Sequence, residues 1–600
     1  MNEPMNEKNA LIVFSVGPVQ SFIASARKTE DLWAGSYTLS YLIKLAIETA
    51  EAQAREIGVF LDVVFPARRQ KTQEVTMTAS YPNRFLASIK GEPETAAQVA
   101  KACEQAVREA IKSMAAKSVD KVFGHFHTDE VSRIKDMALL QASCFFEVYW
   151  ALEPWDGKDY LAAAQRLEGR LAASKNERPL SFAEQSGLVC TVCGERDALG
   201  QFAPESANYA QMKRDLAKIW SKRAQAYNKP PAHEDAPDPE GRIKEGEYLC
   251  GICLMKRTAR DYFGDVFRQR SVFKPFPSTR EIAMPFGVGP AFRKEKESDE
   301  GGYFAVIMMD GDSMGEWLSG VKLPSWGQDI RANTAQGKDW GLAYQNALSE
   351  RMHQFAHKSV PDLIREQKGT LVYCGGDDVL ALLSVRDALS FAYKLRQVFS
   401  DEQNGLGSDF TASMGLVIAH EKEPLQNVLR WARRMESAAK DYTAAQGRYQ
   451  KNALGIAVIA HSGEIRETVV PWSWPEQAAS AHQSPAEVLL EVLRKSYEHL
   501  SYSFVEHFAS SFLPVMNPSR LQREKLRIMA NSEMNRKLLT TELFRLLQRS
   551  SQEEKVSARD LKNMAEMLAT LHEILPTSLQ FIHLLETLRF FKREEVMGIG

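Results

Sequence analysis

Apolar residues along the chain gather into short unbroken runs, separated by longer stretches with a helical repeat. Residues 303–309 (YFAVIMM), 371–374 (LVYC), 379–383 (VLALL), 410–419 (FTASMGLVIA) and 453–459 (ALGIAVI) are short and uniformly apolar. They read as strands buried on both faces. Helical spacing fills 342–367, 386–400 and 424–440, and an insertion rich in Gly, Pro and Trp occupies 318–340. The resulting β-α-β-β-α-β order is the ferredoxin-like pattern. Nearer the start, 10–16 (ALIVFSV), 60–65, 84–89 and 144–152 read as strands and 95–122 as a helix. That alternation suggests an α+β sandwich. After Gly17-Pro18 breaks the first strand, Val19, Phe22, Ile23 and Ala26 keep helical spacing. Such a turn is either an ordinary strand–turn–helix or a set of backbone N–H groups facing an anion. Residues 470–485 read as a linker. From 486 onward the pattern is helical, clearest at 538–548 and 561–575. This last part is either a partner-docking bundle or a plain cap.

Composition narrows the class. Six hundred residues exceed one core, so several domains are expected. The net charge of −2, from 75 basic and 77 acidic residues, lacks the excess of a nucleic-acid-binding chain. Any nucleic-acid contact must come from local patches or from partner subunits, and basic residues Arg520, Arg523, Lys525, Arg527, Arg536 and Lys537 recur in the C-terminal helical part. No run of 18 apolar residues occurs, and the acidic opening MNEPMNEKNA lacks a signal-peptide pattern, so a soluble, cytoplasmic protein is expected. Seven cysteines, an odd number in a long chain, argue for reduced thiols or metal ligands.

Candidate chemistry centres on Gly375-Gly376-Asp377-Asp378, which joins two of the apolar runs. Glycine supplies the positive φ of a hairpin turn. Adjacent aspartates repel, so the pair makes sense around a divalent cation, although an acidic surface turn is the rival reading. The run 303–309 delivers a third carboxylate, Asp310, followed by Gly311. Asp310, Asp377 and Asp378 together could hold two Mg²⁺ or Mn²⁺ ions, the arrangement of phosphoryl and nucleotidyl transfer. Without cations these carboxylates would repel a triphosphate, by about 4 kcal/mol per charge pair at 4 Å and an effective dielectric of 20. Arg448, Lys451 and Asn452, just before the last strand, either reach a triphosphate or form solvated surface.

Cys190-x-x-Cys193 and Cys250-x-x-Cys253 share one spacing and could offer four thiolates to a structural Zn²⁺. The spacer between them contains 228–246, rich in Pro and charge, which reads as an exposed loop. Cys103, Cys144 and Cys374 are assigned to packing.

These motifs carry a resemblance. GPVQSFI (17–23) with ARKTEDLWAGSYTLSYL (26–42), the paired cysteines, DGDSMG (310–315), YCGGDD (373–378) and SMGLVIAH (413–420) stand in one order along nearly the whole chain. In this the chain resembles the large subunit of type III CRISPR effector complexes, most closely the Cmr (III-B) branch. The resemblance implies two ferredoxin-like palm domains: a degenerate, substrate-holding one at 1–180 and one bearing GGDD at 301–470. It also implies a zinc-binding domain at 181–300 and a C-terminal helical domain at 486–600. It implies joining of ATP into cyclic oligoadenylates, with pyrophosphate release, when the complex captures target RNA. The implied partners are other effector subunits, guide RNA and target RNA, with no membrane. Asp377, Asp378 and Asp310 match the catalytic metal ligands. Gly375, Gly376 and Gly311 let backbone approach the nucleotide, while Gln20 and Ser21 in the first palm face the second one. No His-Asp dipeptide occurs among the twelve histidines, so the HD nuclease domain of many relatives is expected to be missing. Two alternatives stay open: adenylyl transfer from ATP onto S-adenosylmethionine by the same site, and a catalytically inert scaffold.

Overall fold

The computed structural model describes residues 9–67, 78–124, 128–177, 187–200, 208–228, 242–269, 276–283, 302–335, 339–442, 451–473, 533–551, 557–575 and 579–587, with isolated positions between 485 and 510. Arg448, the Pro-rich stretch 229–241, residues 474–484 and the basic positions 520, 523, 525 and 527 lie outside the described residues. Two compact units emerge. One comprises Met1–Ser278, Ser313–Lys358 and Val372–Gly376; the other comprises Thr279–Asp312, Ser359–Leu371 and Asp377–Gly600.

The first unit holds a four-stranded sheet of β1 (Asn9–Gly17), β2 (Leu61–Phe65), β3 (Arg84–Lys90) and β4 (Glu147–Trp155), in the order β2-β3-β1-β4. This is the ferredoxin-like arrangement, with the first strand paired antiparallel on both sides. Leu11 and Val13 face a layer containing Ala151, Trp155, Tyr160 and Leu167. Strand alternation turns Ile12 and Phe14 to the other face, and both are fully buried. After β1 come a short helix α1 (Gln20–Ala24) and a long one, α2 (Thr29–Glu56). Residues 144–145, expected to open a strand, instead close the helix Thr128–Phe145, and β4 starts at Glu147. Ile134, Ala138 and Ala142 are buried at four-residue spacing, so the helical register carries through to the apolar run Cys144-Phe145-Phe146.

The second sheet contains β5 (Tyr303–Gly311), β6 (Thr370–Gly375), β7 (Asp378–Ser384), β8 (Ala412–His420), β9 (Ala453–Ile459) and β10 (Ile465–Pro471), in the order β10-β9-β8-β5-β7-β6. Its β8-β5-β7-β6 part repeats the ferredoxin-like order. β9 then adds parallel to β8, and β10 antiparallel to β9. β10 overlaps the start of the expected linker. It is half-exposed over Ile465-Arg466-Glu467 and buried from Thr468 to Pro471, so only its start is open to solvent. The β8–β9 crossover runs through the helix Leu425–Lys440. Gly415 and Gly455 are register partners beneath it. A Cβ at Gly415 would lie 2.1 Å from the Ala432 carbonyl oxygen, and one at Gly455 would lie 2.3 Å from that of Met435. The helix therefore sits directly on sheet backbone, through a window only glycine leaves open.

The expected helix 342–367 is interrupted. Trp340–Gln354 passes through a π-turn at Phe355–Ser359 into Val360–Glu366, where Pro361 has no N–H to continue the α ladder. The insertion contains its own helix, Ser325–Asn333. In the C-terminal part, Glu533–Ser550 and Ala558–Ile574 pack through Leu543, Leu547, Leu561 and Leu568. There Arg536 pairs with Glu573 at 2.6 Å.

Candidate active site and cysteine centre

β5 ends where β7 begins: Met309 is register partner to Val379, so Asp310 comes beside Asp378. The intervening turn bends at Gly376, whose φ of +75° L side chains rarely adopt. Asp310, Asp377 and Asp378 each offer a carboxylate oxygen, all within 4.8 Å of one another. Such a cluster of hard oxygen donors suits Mg²⁺ or Mn²⁺ and fits no soft metal. Burial, then the charges of Asp377 and Glu436, push the Asp378 carboxyl well above its ordinary value. Because Asp378 is an exposed residue, the neighbouring negative charges are the stronger reason.

Two residues from the helix Leu425–Lys440 join this cluster. The Lys440 ammonium contacts Asp310 directly and lies 3.2 Å from the Glu436 carboxylate. Burial, then the charge of Lys451, hold the Lys440 ammonium down to about 8. Burial, with help from Asp312, pushes Glu436 up to about 7, although Arg433 opposes it. Lys440 thus gives Asp310 the positive charge that a divalent ion would bring. Neither Glu436 nor Lys440 was singled out from sequence. Their signal is Arg433, Glu436 and Lys440 at helical spacing on a helix crossing the strand ends.

Asp312 behaves differently from Asp310. It is 3% exposed and turns inward. It accepts hydrogen bonds from Ser413 Oγ (2.7 Å), Thr411 Oγ1 (2.8 Å) and the Asn452 backbone N–H (3.0 Å). This latch fixes the loop just before β9, where Lys451 and Asn452 both have positive φ, +45° and +50°. Consecutive non-glycine residues in that region cost free energy and persist only where the surroundings impose them. Asn452 also accepts from Arg396 Nε at 2.8 Å. Lys451, expected beside a triphosphate, is therefore held on a strained, fixed loop, and Gly311 is buried at the end of β5.

Gln20 and Ser21 lie in the other unit, exposed on α1, while Phe22 and Ile23 beside them are buried. The same unit brings Cys190, Cys193, Cys250 and Cys253 together, with all four Sγ atoms within 4.8 Å. The Cys193 and Cys250 sulfurs are 3.8 Å apart. A tetrahedron with Zn–S bonds of about 2.3 Å has edges of about 3.8 Å, so the spacing fits zinc. Cys250 caps the helix α3 (Gly251–Arg257), accepting the Cys253 N–H at its sulfur. Hydrogen bonding to Cys190 holds the Cys193 thiol far below its ordinary value and pushes Cys250 and Cys253 well above theirs. Four thiols this close together would release protons on taking up a cation. Cys103 and Cys374 are buried in packing, and Cys144 is half-buried.

Two sheets of ferredoxin-like strand order, one with a Gly-Gly-Asp-Asp hairpin beside a strand-end aspartate, define a palm-domain protein. Residues 303–454 match the family described as Cas10/Cmr2, second palm domain, and residues 11–116 match CRISPR-associated protein Cmr2, N-terminal. The CRISPR system Cmr subunit Cmr2 of Pyrococcus furiosus is 24% identical over 572 aligned residues, covering 77% of this chain and 63% of that protein. These matches make the chain similar to the Cas10/Cmr2 large subunits of the Cmr (III-B) branch. It spans less than two thirds of the length of the Pyrococcus relative. Over a shorter stretch of 137 residues it is 27% identical to a Streptococcus thermophilus protein described as CRISPR system single-strand-specific deoxyribonuclease Cas10/Csm1 (subtype III-A), covering 23% of this chain and 16% of that one. Two solved structures of type III-B Cmr-beta share the fold at 14% identity. The apo state gives a TM-score of 0.65 over 98% of this chain and 82% of the other. The form bound to cognate target RNA gives 0.62 over 98% and 83%.

Proposed function

We propose that this chain, assembled with other subunits of a type III effector complex, converts ATP to cyclic oligoadenylate when the complex captures target RNA. The observation that carries the reading is the convergence of Asp310, Asp377 and Asp378 at one end of the second sheet. Divalent cations there would activate a ribose 3′-hydroxyl and neutralise charge on a departing pyrophosphate. The chain's own residues do the rest. The Gly375-Gly376 bend brings backbone close to the nucleotide with no side chain in the way. Lys451, fixed by the Asp312 latch, offers a cation to the triphosphate, and Lys440 keeps Asp310 from repelling it. Gln20 and Ser21 hold the second nucleotide. The four cysteines hold a structural zinc, with no open position for chemistry. Guide and target RNA act through the assembled complex, in the cytoplasm.

The test uses the assembled complex with target RNA and labelled ATP, with and without S-adenosylmethionine. Wild type is expected to release pyrophosphate and build oligoadenylates, and Asp377→Ala with Asp378→Ala to release none while assembling normally. Synthesis undiminished in that variant would sink the site assignment. A labelled product formed only with S-adenosylmethionine would replace the acceptor and keep the site.

A further inference from the structure

α1 is only five residues long and has no side-chain N-cap hydrogen bond, so it cannot hold its own conformation. Its inner contacts lead back to the segments that carry the four cysteines. Lys256, three residues past Cys253 on α3, is 1% exposed. Its ammonium donates to the carbonyl oxygens of Phe22, at 2.7 Å, and Ser25. Its stem lies against α2 at Gly35, where a Cβ would sit 3.5 Å from Lys256 Cδ and 3.3 Å from the Ile23 Cα. A second path starts at Arg196, whose guanidinium is 3.8 Å from Cys193 Sγ and 4.2 Å over the Phe145 ring. Phe145 packs on Phe22 at 5.6 Å, and Phe146 meets the same ring edge-on at 5.1 Å. A third contact fixes the turn after α1. Arg257 forks onto Asp31 (2.9 Å) and Glu247 (2.7 Å), and Asp31 accepts the N–H groups of Arg27 and Lys28.

We propose that the metal-loaded cysteine centre sets the conformation of residues 20–28, with Lys256 and Arg196 as positioning residues. The centre is then more than a staple. Four thiolates around a divalent ion leave two negative charges. Lys256 and Arg196 bring two positive ones, and each of them also grips α1 or its packing partner. A buried ammonium whose hydrogen bonds go to carbonyl oxygens is costly, even with the Phe22 ring 5.2 Å away and the Asp31 charge nearby. The nearby centre offsets that cost, so loading the metal and ordering α1 are linked. The face of α1 opposite these contacts carries Gln20 and Ser21. For them the inference rests on the reading given above, that they hold a nucleotide.

Lys256→Met in the full chain keeps the stem and removes the charge. Zinc content should stay at one ion per chain. Amide hydrogen exchange across 21–27 should quicken about tenfold, while the central β1 amides, 10–16, stay protected. In the activated complex KM for ATP should rise about tenfold with kcat within about twofold. Stripping zinc from the wild-type chain with a chelator should quicken the same 21–27 amides. Exchange across 21–27 that matches wild type in both the variant and the stripped chain overturns the proposal. If Lys256→Met sheds its metal or loosens 10–16, Arg196→Gln decides in its place. Faster exchange at 21–27 with zinc retained supports the coupling, and unchanged exchange refutes it. The exchange readings need no turnover. Faster exchange beside an unmoved KM therefore counts against the nucleotide role of Gln20 and Ser21 and leaves the coupling intact.

Discussion

Replacing Asp312 with Ala should separate two aspartates that stand only two residues apart. The Asp312 carboxylate is nearly inaccessible to water and accepts three hydrogen bonds, from Ser413, Thr411 and the Asn452 backbone. A hydrogen bond to a charged group contributes about 1.5–3 kcal/mol net. The two hydroxyls can turn partly to other acceptors, but the Asn452 N–H is fixed by backbone. The expected loss is therefore about 3–4 kcal/mol, less than the sum of three bonds. For a unit of this size that lowers the melting temperature by about 10 °C. The assay is thermal unfolding of the full chain, with hydrogen exchange across 412–420 to place the damage. Asp310→Ala is the matched comparison. Its contact with Lys440 is partly open to solvent, so less than about 1 kcal/mol should be lost. A melting temperature within about 2 °C of wild type for Asp312→Ala would show that Asp312 is not a latch.

Two further outcomes test the helix that delivers Glu436 and Lys440. Gly415→Ala would place a methyl 2.1 Å from the Ala432 carbonyl oxygen and 2.6 Å from the Glu436 nitrogen, lifting the helix off β8. Thermal unfolding should show a loss of about 2–3 kcal/mol, and wild-type stability would mean that the close seating is unimportant. Glu436 is raised to about 7 from an ordinary 4.5, so the folded chain binds the extra proton between those values. Its stabilising contribution is present below about 4.5 and is lost as pH rises through 7. Glu436→Gln should flatten the stability profile across that window in chemical denaturation, and an unchanged slope would contradict the assignment.

The sequence revealed the parts of this molecule that depend on local pattern. Uniformly apolar runs such as 303–309 and 453–459 became central strands because both faces are covered, which leaves no polar positions to blur them. The C-x-x-C pairs were legible by their shared spacing, and the Gly-Gly-Asp-Asp turn by the positive φ that Gly376 supplies. What stayed hidden depends on long-range placement. Cys144-Phe145-Phe146 is apolar enough for strand or helix, and the buried spacing upstream decided it. Asp310 and Asp312 look equivalent in DGDSMG, yet the chain turns after Gly311 and sends one to the surface cluster and the other into the core. Lys440 lies over a hundred residues from Asp310 in sequence, and only the crossover over Gly415 and Gly455 brings them together.

The central claim, that three carboxylates from two separate segments form a divalent-cation site, is tested most directly by Mn²⁺ binding to the full chain, followed by electron paramagnetic resonance. Wild type should bind Mn²⁺ saturably, and Asp377→Ala with Asp378→Ala should weaken that binding by at least about tenfold. Equal Mn²⁺ affinity in the two proteins would contradict it.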